Sequence, residues 1–306
     1  MSTFGVVSRI TRSELPYLRA FVDHHKSVGF SSFEFVHRRV DEHDELQAWC
    51  DNIPGVNLTL ATRFLDSSGR HVKKLLHEPI FEGRGLDYIL NVDPDEYFIP
   101  KNNPSGNLDD WIEQFGSDMS VLKARWMMAP WDKHTDPTLS GGFPGHQGKC
   151  LLKVGCVKRV TEHGAKPLMG GRCYIPRDAG VLVHCWGRTF NDIVIKSFSY
   201  DFRNAKNAGP DQLRADLRRS ILPPRLRLLA FLTRKAERRA PVPFKLAPSY
   251  DYAYEAARVS ELVSPEELQR CKDLYARYKR RLPAHHFRRY PGNHLHGVVN
   301  KLPKKL

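Results

Sequence analysis

The chain has 306 residues, 41% hydrophobic and 10% aromatic, which allows one large α/β domain with appendages or two small domains and excludes a disordered polymer. Its formal charge of +14 is unevenly divided. Residues 1–202 hold 24 Lys and Arg against 25 Asp and Glu, whereas residues 203–306 hold 24 against 9, so an electrically ordinary region precedes a basic one suited to anionic partners.

In chain order, "FGVVSRI" (4–10) reads as a buried strand. The stripe Leu15, Leu18, Phe21, Val22 and Val28 then predicts a helix over 14–29, opened by a Thr11/Glu14 capping box and stopped by Gly29. A strand follows at 33–37, a helix around 44–50, a strand at 56–62, a helix near 71–82 and a strand at 86–92. This alternation predicts a mostly parallel sheet with helices on both faces, a Rossmann-type α/β fold. Beyond it, a helix is expected at 107–115, strands at 120–128, 149–154 and 180–186, and a Gly-, Pro- and His-rich loop at 129–148. From 203 onward, arginines interleave with leucines, "APVPFKLAP" reads as a linker, and "SPEELQRCKDLYARYKRRL" is a capped helix. The domains expected are 1–205 and a basic helical extension, 206–306.

Six cysteines without a CxxC pair suggest reduced core thiols. The first residues lack the pattern of a signal peptide, and no window approaches the roughly 20 apolar residues that span a bilayer. A cytoplasmic protein is expected, or one peripheral on the inner face of the membrane. Residues 213–240 would form a helix with one apolar and one cationic face, broken at Pro223-Pro224, the pattern of an interfacial helix on anionic lipid, although plain solvation of the cationic face is the commoner case. Nucleic acid is not expected as a partner, because stacking aromatics are nearly absent from that stretch. The four histidines of "HHFRRYPGNHLH" match no closed metal site.

The most informative stretch is "LNVDPDEYF" (90–98), three acids behind an apolar strand. Parallel sheets bind ligands at the carboxyl ends of their strands, which is where these acids fall. Carboxylates on a turn suit Mg²⁺ or Mn²⁺, and Pro94 fixes one torsion between Asp93 and Asp95. No phosphate-binding G-x-x-x-x-G-K-[ST] loop, no G-x-G-x-x-G and no H-E-x-x-H occurs, which removes the main support for P-loop NTPases, dinucleotide enzymes and zincins.

The acid motif resembles the D-x-D-E-[FY] signature of GT-A glycosyltransferases, in particular the family 2-like and family 92-like group. "RSELPYLRAFVDHHKSVGFSSF" (12–33) is similar to that group's N-terminal pattern, and "GKCLLKVGCVKRVTEHGAKP" (148–167) with "VHCWGRTFNDIVIKSF" (183–198) is similar to its later strands. The resemblance covers roughly residues 4–205. It departs at Ser13, where the family has Asn, at Ala20-Phe21, where it has Glu-Trp, and at "HRRVDEHDE" (37–45), where its nucleotide loop is reduced.

The resemblance implies a metal-dependent, inverting sugar transfer from a nucleotide-diphosphate sugar, a UDP-sugar first among donors, to a glycan or lipid-linked acceptor, as in bacterial surface-glycan assembly. Asp93 and Asp95 would meet the ion and the donor, with Arg12, Glu14 and Asp41 (or Asp44) near the nucleotide. His184 would complete the shell of a Mn²⁺ ion. Asp132 is the first candidate for the base that takes the acceptor's proton, then Glu162 and His163. Glu96 would orient the turn or touch the acceptor. Lys149, Lys153, Arg188 and Lys196 could offset diphosphate charge, although cations on solvated faces are the commoner case. Two rival readings are a sugar-phosphate nucleotidyltransferase, which should show a Gly-rich basic loop after the first strand, and a non-catalytic basic protein binding membrane or nucleic acid.

Overall fold

The computed structural model describes residues 1–37, 40–60, 85–103, 105–116, 118–128, 143–161, 163–174, 180–185, 189–199, 222–236 and 251–281. The predicted helix near 71–82, most of the loop at 129–148 and the histidine-rich tail lie outside them. The chain divides into two compact units. One comprises residues 1–127, 146–183 and 247–250, the other 128–145, 184–246 and 251–306.

The first unit is a mixed α/β structure built on a curled, mostly parallel sheet, in agreement with the predicted fold class. Strand β1 (Phe4–Arg9) pairs in parallel with β2 (Ser32–His37) and β4 (Tyr88–Asn91), and β2 pairs in parallel with β3 (Val56–Leu60). β4 runs antiparallel to β7 (Phe143–Lys153). The order continues through β6 (Met119–Met128) and β11 (Gly180–His184) to β5 (Glu96–Pro100), and β10 (Arg172–Tyr174) adds to β6. β8 (Val157–Thr161) and β9 (Gly164–Pro167) form a separate hairpin. The central strands read as continuous apolar runs because both faces are covered. The extra length of β7, read as loop from its Pro and Gly residues, is held by pairing to its sheet neighbours.

Helix α1 (Leu15–Val28) covers one face with Leu15, Tyr17, Leu18, Phe21, Val22 and His25. The Thr11/Glu14 box forms as the spacing predicts, although it caps a 3₁₀ turn over Arg12–Glu14 that feeds α1. Gly29 closes the helix at φ 116°, a left-handed conformation that costs a glycine little. Phe21, Phe33 and Phe35 are fully buried, each contributing on the order of 2 kcal/mol by area. Among the described residues, this unit also contains α2 (His43–Asp51) and α3 (Leu108–Glu113).

The second unit contains helices α4 (Phe190–Ser199), α5 (Leu222–Ala236), α6 (Tyr252–Leu262) and α7 (Pro265–Arg281). α5 packs on α7 and α4, and α4 on α6. The structure corrects the interfacial-helix reading in its described part. Leu226, Leu229, Ala230, Phe231 and Leu232 are buried, so the apolar face of α5 is covered by protein. Arg227 lies 5.1 Å over the Tyr278 ring of α7, a cation–π contact between the two helices. The proline pair stands in the first turn of α5, where a missing N–H leaves no intrahelical bond unmade. Residues 213–221 and 237–240 lie outside the described residues. Among the described residues, no helix is long and apolar enough to cross a membrane.

Candidate active site

The acids occupy the turn between β4 and β5. β4 carries the chain into the middle of the sheet, where the Val92 N–H still bonds to the Val7 carbonyl at 3.1 Å. The next four residues close a turn in which the Glu96 N–H donates to the Asp93 carbonyl at 2.9 Å. The Glu96 side chain reaches back, and its Oε2 accepts the Asp93 N–H at 2.8 Å. Its Oε1 accepts the Trp126 Nε1–H from β6 at 2.7 Å. Glu96 therefore orients the turn, with both oxygens engaged and no exposed surface. Burial pushes its carboxyl well above the ordinary range, reinforced by Asp93 and Asp95 and opposed by Lys149.

Of the two readings of Lys149, a cation beside the diphosphate or one on a solvated strand face, the structure removes the second. Lys149 is only 2% exposed, and its Nζ lies 2.8 Å from Asp93 Oδ2 and 3.8 Å from Glu96 Oε2. A buried ammonium is tolerated only with such partners. Its neighbour Gly148 lets β7 approach β6, because a Cβ there would sit 1.9 Å from the Ala124 carbonyl oxygen. The Asp93 side chain is 38% exposed. Burial works to raise its pKa, yet Lys149, with help from Arg9, holds the carboxyl below the usual range despite repulsion from Asp95. Asp95 is 9% exposed. The turn thus contains one acid locked inward, one ionised acid open on one side, and a fixed cation between them.

The other predicted residues fall in several places. His163 is half-buried, with its ring 5.1 Å from Trp126 at 81°, so Trp126 joins it to the acid turn. Asp132, Glu162 and Arg188 lie outside the described residues. Glu14 spends its Oε2 on the cap, accepting from Thr11 N at 2.9 Å and Ser13 Oγ at 3.1 Å. Arg12 pairs with Glu45 at 2.7 Å, and its N–H donates to Glu42 at 2.9 Å. Asp41 and Asp44 are exposed on the turn and helix that follow β2. Lys153 is half-buried on β7, and Lys196 pairs with Asp192 within the helical unit. His184 ends β11, is 8% exposed and falls in the second unit. Among the described residues, no three of His, Cys, Asp and Glu gather into a metal cluster.

Sequence reasoning missed Trp126 as the anchor of Glu96, and it also missed Arg9 and the histidine pair of α1. A lysine inside an apolar strand was the available signal for Lys149. It becomes decisive only once β7 is known to lie in the interior of the sheet.

No protein-family model matches the chain, and no curated protein matches it. Solved structures similar to it include a 4-diphosphocytidyl-2C-methyl-D-erythritol synthase from Anaerococcus prevotii, at 12% identity over 45% of this chain and 59% of that one, TM-score 0.26. Rv0371c from Mycobacterium tuberculosis is similar at 16% identity over 50% of this chain and 73% of that one, TM-score 0.28. HddC from Yersinia pseudotuberculosis is similar at 13% identity over 62% of this chain and 91% of that one, TM-score 0.30. At these scores the likenesses carry no argument about what this chain does.

Proposed function

We propose that the chain transfers a glycosyl group from a nucleoside-diphosphate sugar to a hydroxyl acceptor, with the Asp93–Glu96 turn as its centre. The observation that carries this reading is the ionised, partly open Asp93 beside the buried ammonium of Lys149, at the carboxyl end of β4. Parallel sheets present their ligand sites at that end.

A divalent ion fits the donors present. Asp93 and Asp95 offer hard oxygen atoms, and substrate phosphates would complete the shell, as is usual for Mg²⁺ and Mn²⁺. Such an ion supplies charge neutralisation on the departing diphosphate. Lys149 holds Asp93 ionised and aimed, and Arg9 adds positive charge at the same turn. The acceptor oxygen bonds to the anomeric carbon as the bond to the diphosphate oxygen breaks, and the electron pair leaves with the diphosphate. The hydroxyl proton passes to a base, for which His163 is the candidate among the described residues. Asp132 and Glu162 remain candidates from the sequence. A glycan or lipid-linked acceptor, and residence in the cytoplasm or at the inner membrane surface, belong to the same proposal.

Nucleotidyl transfer to a sugar phosphate is the second reading, because the same sheet and paired carboxylates serve either reaction. Against it, β1 runs through Ile10 directly into the capped Arg12–Glu14 turn. The Thr11, Arg12 and Ser13 N–H groups there are taken by Glu14, Glu42 and the Thr11 hydroxyl, leaving no open glycine-rich phosphate loop.

The leaving group separates the two readings. Incubation of the protein with Mn²⁺ and a panel of nucleotide sugars and acceptors should release nucleoside diphosphate, with at least about a 100-fold loss in Asp95→Ala. Release of inorganic pyrophosphate from nucleoside triphosphate and sugar phosphate would establish the second reading. Release unchanged by the substitution and by chelation would overturn both.

A further inference from the structure

We infer that His24 and His25 are positioning residues, a proton-sensitive clamp that fixes β5, and with it the acid turn, against α1. Phe98 lies two residues beyond Glu96 on β5, and both of its backbone polar groups are gripped by this pair. Its N–H donates to His25 Nε2 at 3.3 Å, and its carbonyl accepts from His24 Nε2 at 2.8 Å. His25 Nδ1 lies 2.9 Å from the Phe21 carbonyl one helical turn back.

These bonds specify protonation. Nε2 of His25 accepts from an amide, so the proton must sit on Nδ1, where it is donated to Phe21. A second proton on Nε2 would set a donor against a donor and break the bond to β5. Packing leaves no room for an alternative: the His25 ring lies 4.4 Å from Phe21, 5.7 Å from Phe30 and 6.2 Å from Tyr97, stacked on the last at 14°. The titratable groups facing it, among the described residues, are the His24 imidazole on its own helix, 5.0 Å away, and the Tyr97 phenol from β5. Burial first, then the charge on His24, pushes the His25 pKa well below 6.5. Burial also lowers that of His24, against the bond to Phe98.

The sign follows from linkage. A histidine released from the clamp protonates near pH 6.5 and a clamped one does not, so each pH unit below that value favours release about tenfold. Releasing Phe98 loosens Glu96, which holds the Asp93 N–H and meets Trp126. The catalytic consequence rests on the proposed function, whereas the clamp itself does not.

Hydrogen exchange on the full chain tests it. Between pH 6.5 and 5, the protection factor of the Phe98 amide, relative to amides of β1 and β2, should fall about tenfold per unit. His25→Gln offers an oxygen to the Phe98 N–H that does not titrate, so its relative protection should fall with a clearly shallower slope than the wild type's, His24 alone remaining to titrate. A flat wild-type profile, or the same slope in His25→Gln, would overturn the clamp, and the wild-type series decides alone should the variant fail to fold. If the transferase reading also holds, the acid limb of kcat moves to lower pH in His25→Gln at unchanged KM. The exchange signature in a chain that turns over no nucleotide sugar supports the clamp and overturns the functional reading.

Discussion

Each unit buries carboxylates beside a lysine, and the two clusters are built for different ends. In the helical unit, Asp192 is fully buried and pairs with Lys196 at 3.2 Å, one turn further along α4. Thr189, at the start of α4, accepts the Asp192 N–H at 2.9 Å and donates its hydroxyl to Glu255, which is 2% exposed on α6. Both carboxylates there are buried, only the Lys196 side chain keeps a small exposure of 16%, and the cluster ties two helix ends together. At the acid turn, Glu96 and Lys149 are equally buried, but 38% of the Asp93 side chain stays open to solvent. A closed cluster spends its charge on stability, whereas one left open on a single side keeps a charged oxygen for something outside the fold.

Substitution in the closed cluster should give the largest loss of stability. Asp192→Ala leaves the Lys196 ammonium, 16% exposed, without the partner it meets one turn away. We expect unfolding free energy to fall by about 3 kcal/mol, read from denaturant titration. A loss below about 1 kcal/mol would mean that Lys196 simply swings to solvent, and the contrast between the clusters would weaken.

Lys149→Met sharpens the other side of the comparison. Methionine fills the apolar volume, Glu96 keeps its bonds to the Asp93 N–H and the Trp126 indole, and Asp93 is open enough for water to screen it. We therefore expect only about 1–2 kcal/mol of lost stability, well short of the cost of a sealed pair. Without its cation Asp93 is no longer held below the ordinary carboxylate range. NMR titration of the Asp93 carboxyl should show its pKa rising, and turnover should fall with it. An unmoved titration would assign the stabilisation to Arg9 instead.

Much of the first unit was legible because its physics is local. Runs such as "FGVVSRI" and "SVLKARWMM" are strands by composition, and the capping box and Gly29 mark α1 within a residue or two. β5 was not among the predicted strands, because five residues beginning with a glutamate do not look like a strand until β11 pairs with them. α6 was missed in the shadow of the proline-rich stretch before it, although Asp251 at its N-cap, accepting from the Tyr254 N–H at 2.8 Å, was a readable start signal. For the site, the acids and their place at a strand end were visible in the sequence. Lys149 and Trp126, 53 and 30 residues from Glu96, were not recognised as its partners, because partners that distant meet only through the sheet. The apolar stripe of α5 illustrates the opposite error: its spacing showed amphipathicity correctly, but spacing cannot say whether lipid or another helix covers the greasy face.

The smallest expected effect lies in α7, where the local rule and the fold agree completely. Ser264 accepts the Glu267 N–H at 3.3 Å, and Glu267 returns the contact to the Ser264 N–H at 3.3 Å, a reciprocal box on an exposed helix start. Ser264→Ala should cost about 1 kcal/mol, since the freed N–H groups find water at once. The cap lies far in sequence from the acid turn and shares no bond with it, so turnover per folded molecule should not change. A drop in turnover larger than the lost stability explains would show that the helical unit contributes to the reaction itself, and the division between a unit that works and a unit that is merely held together would have to be redrawn.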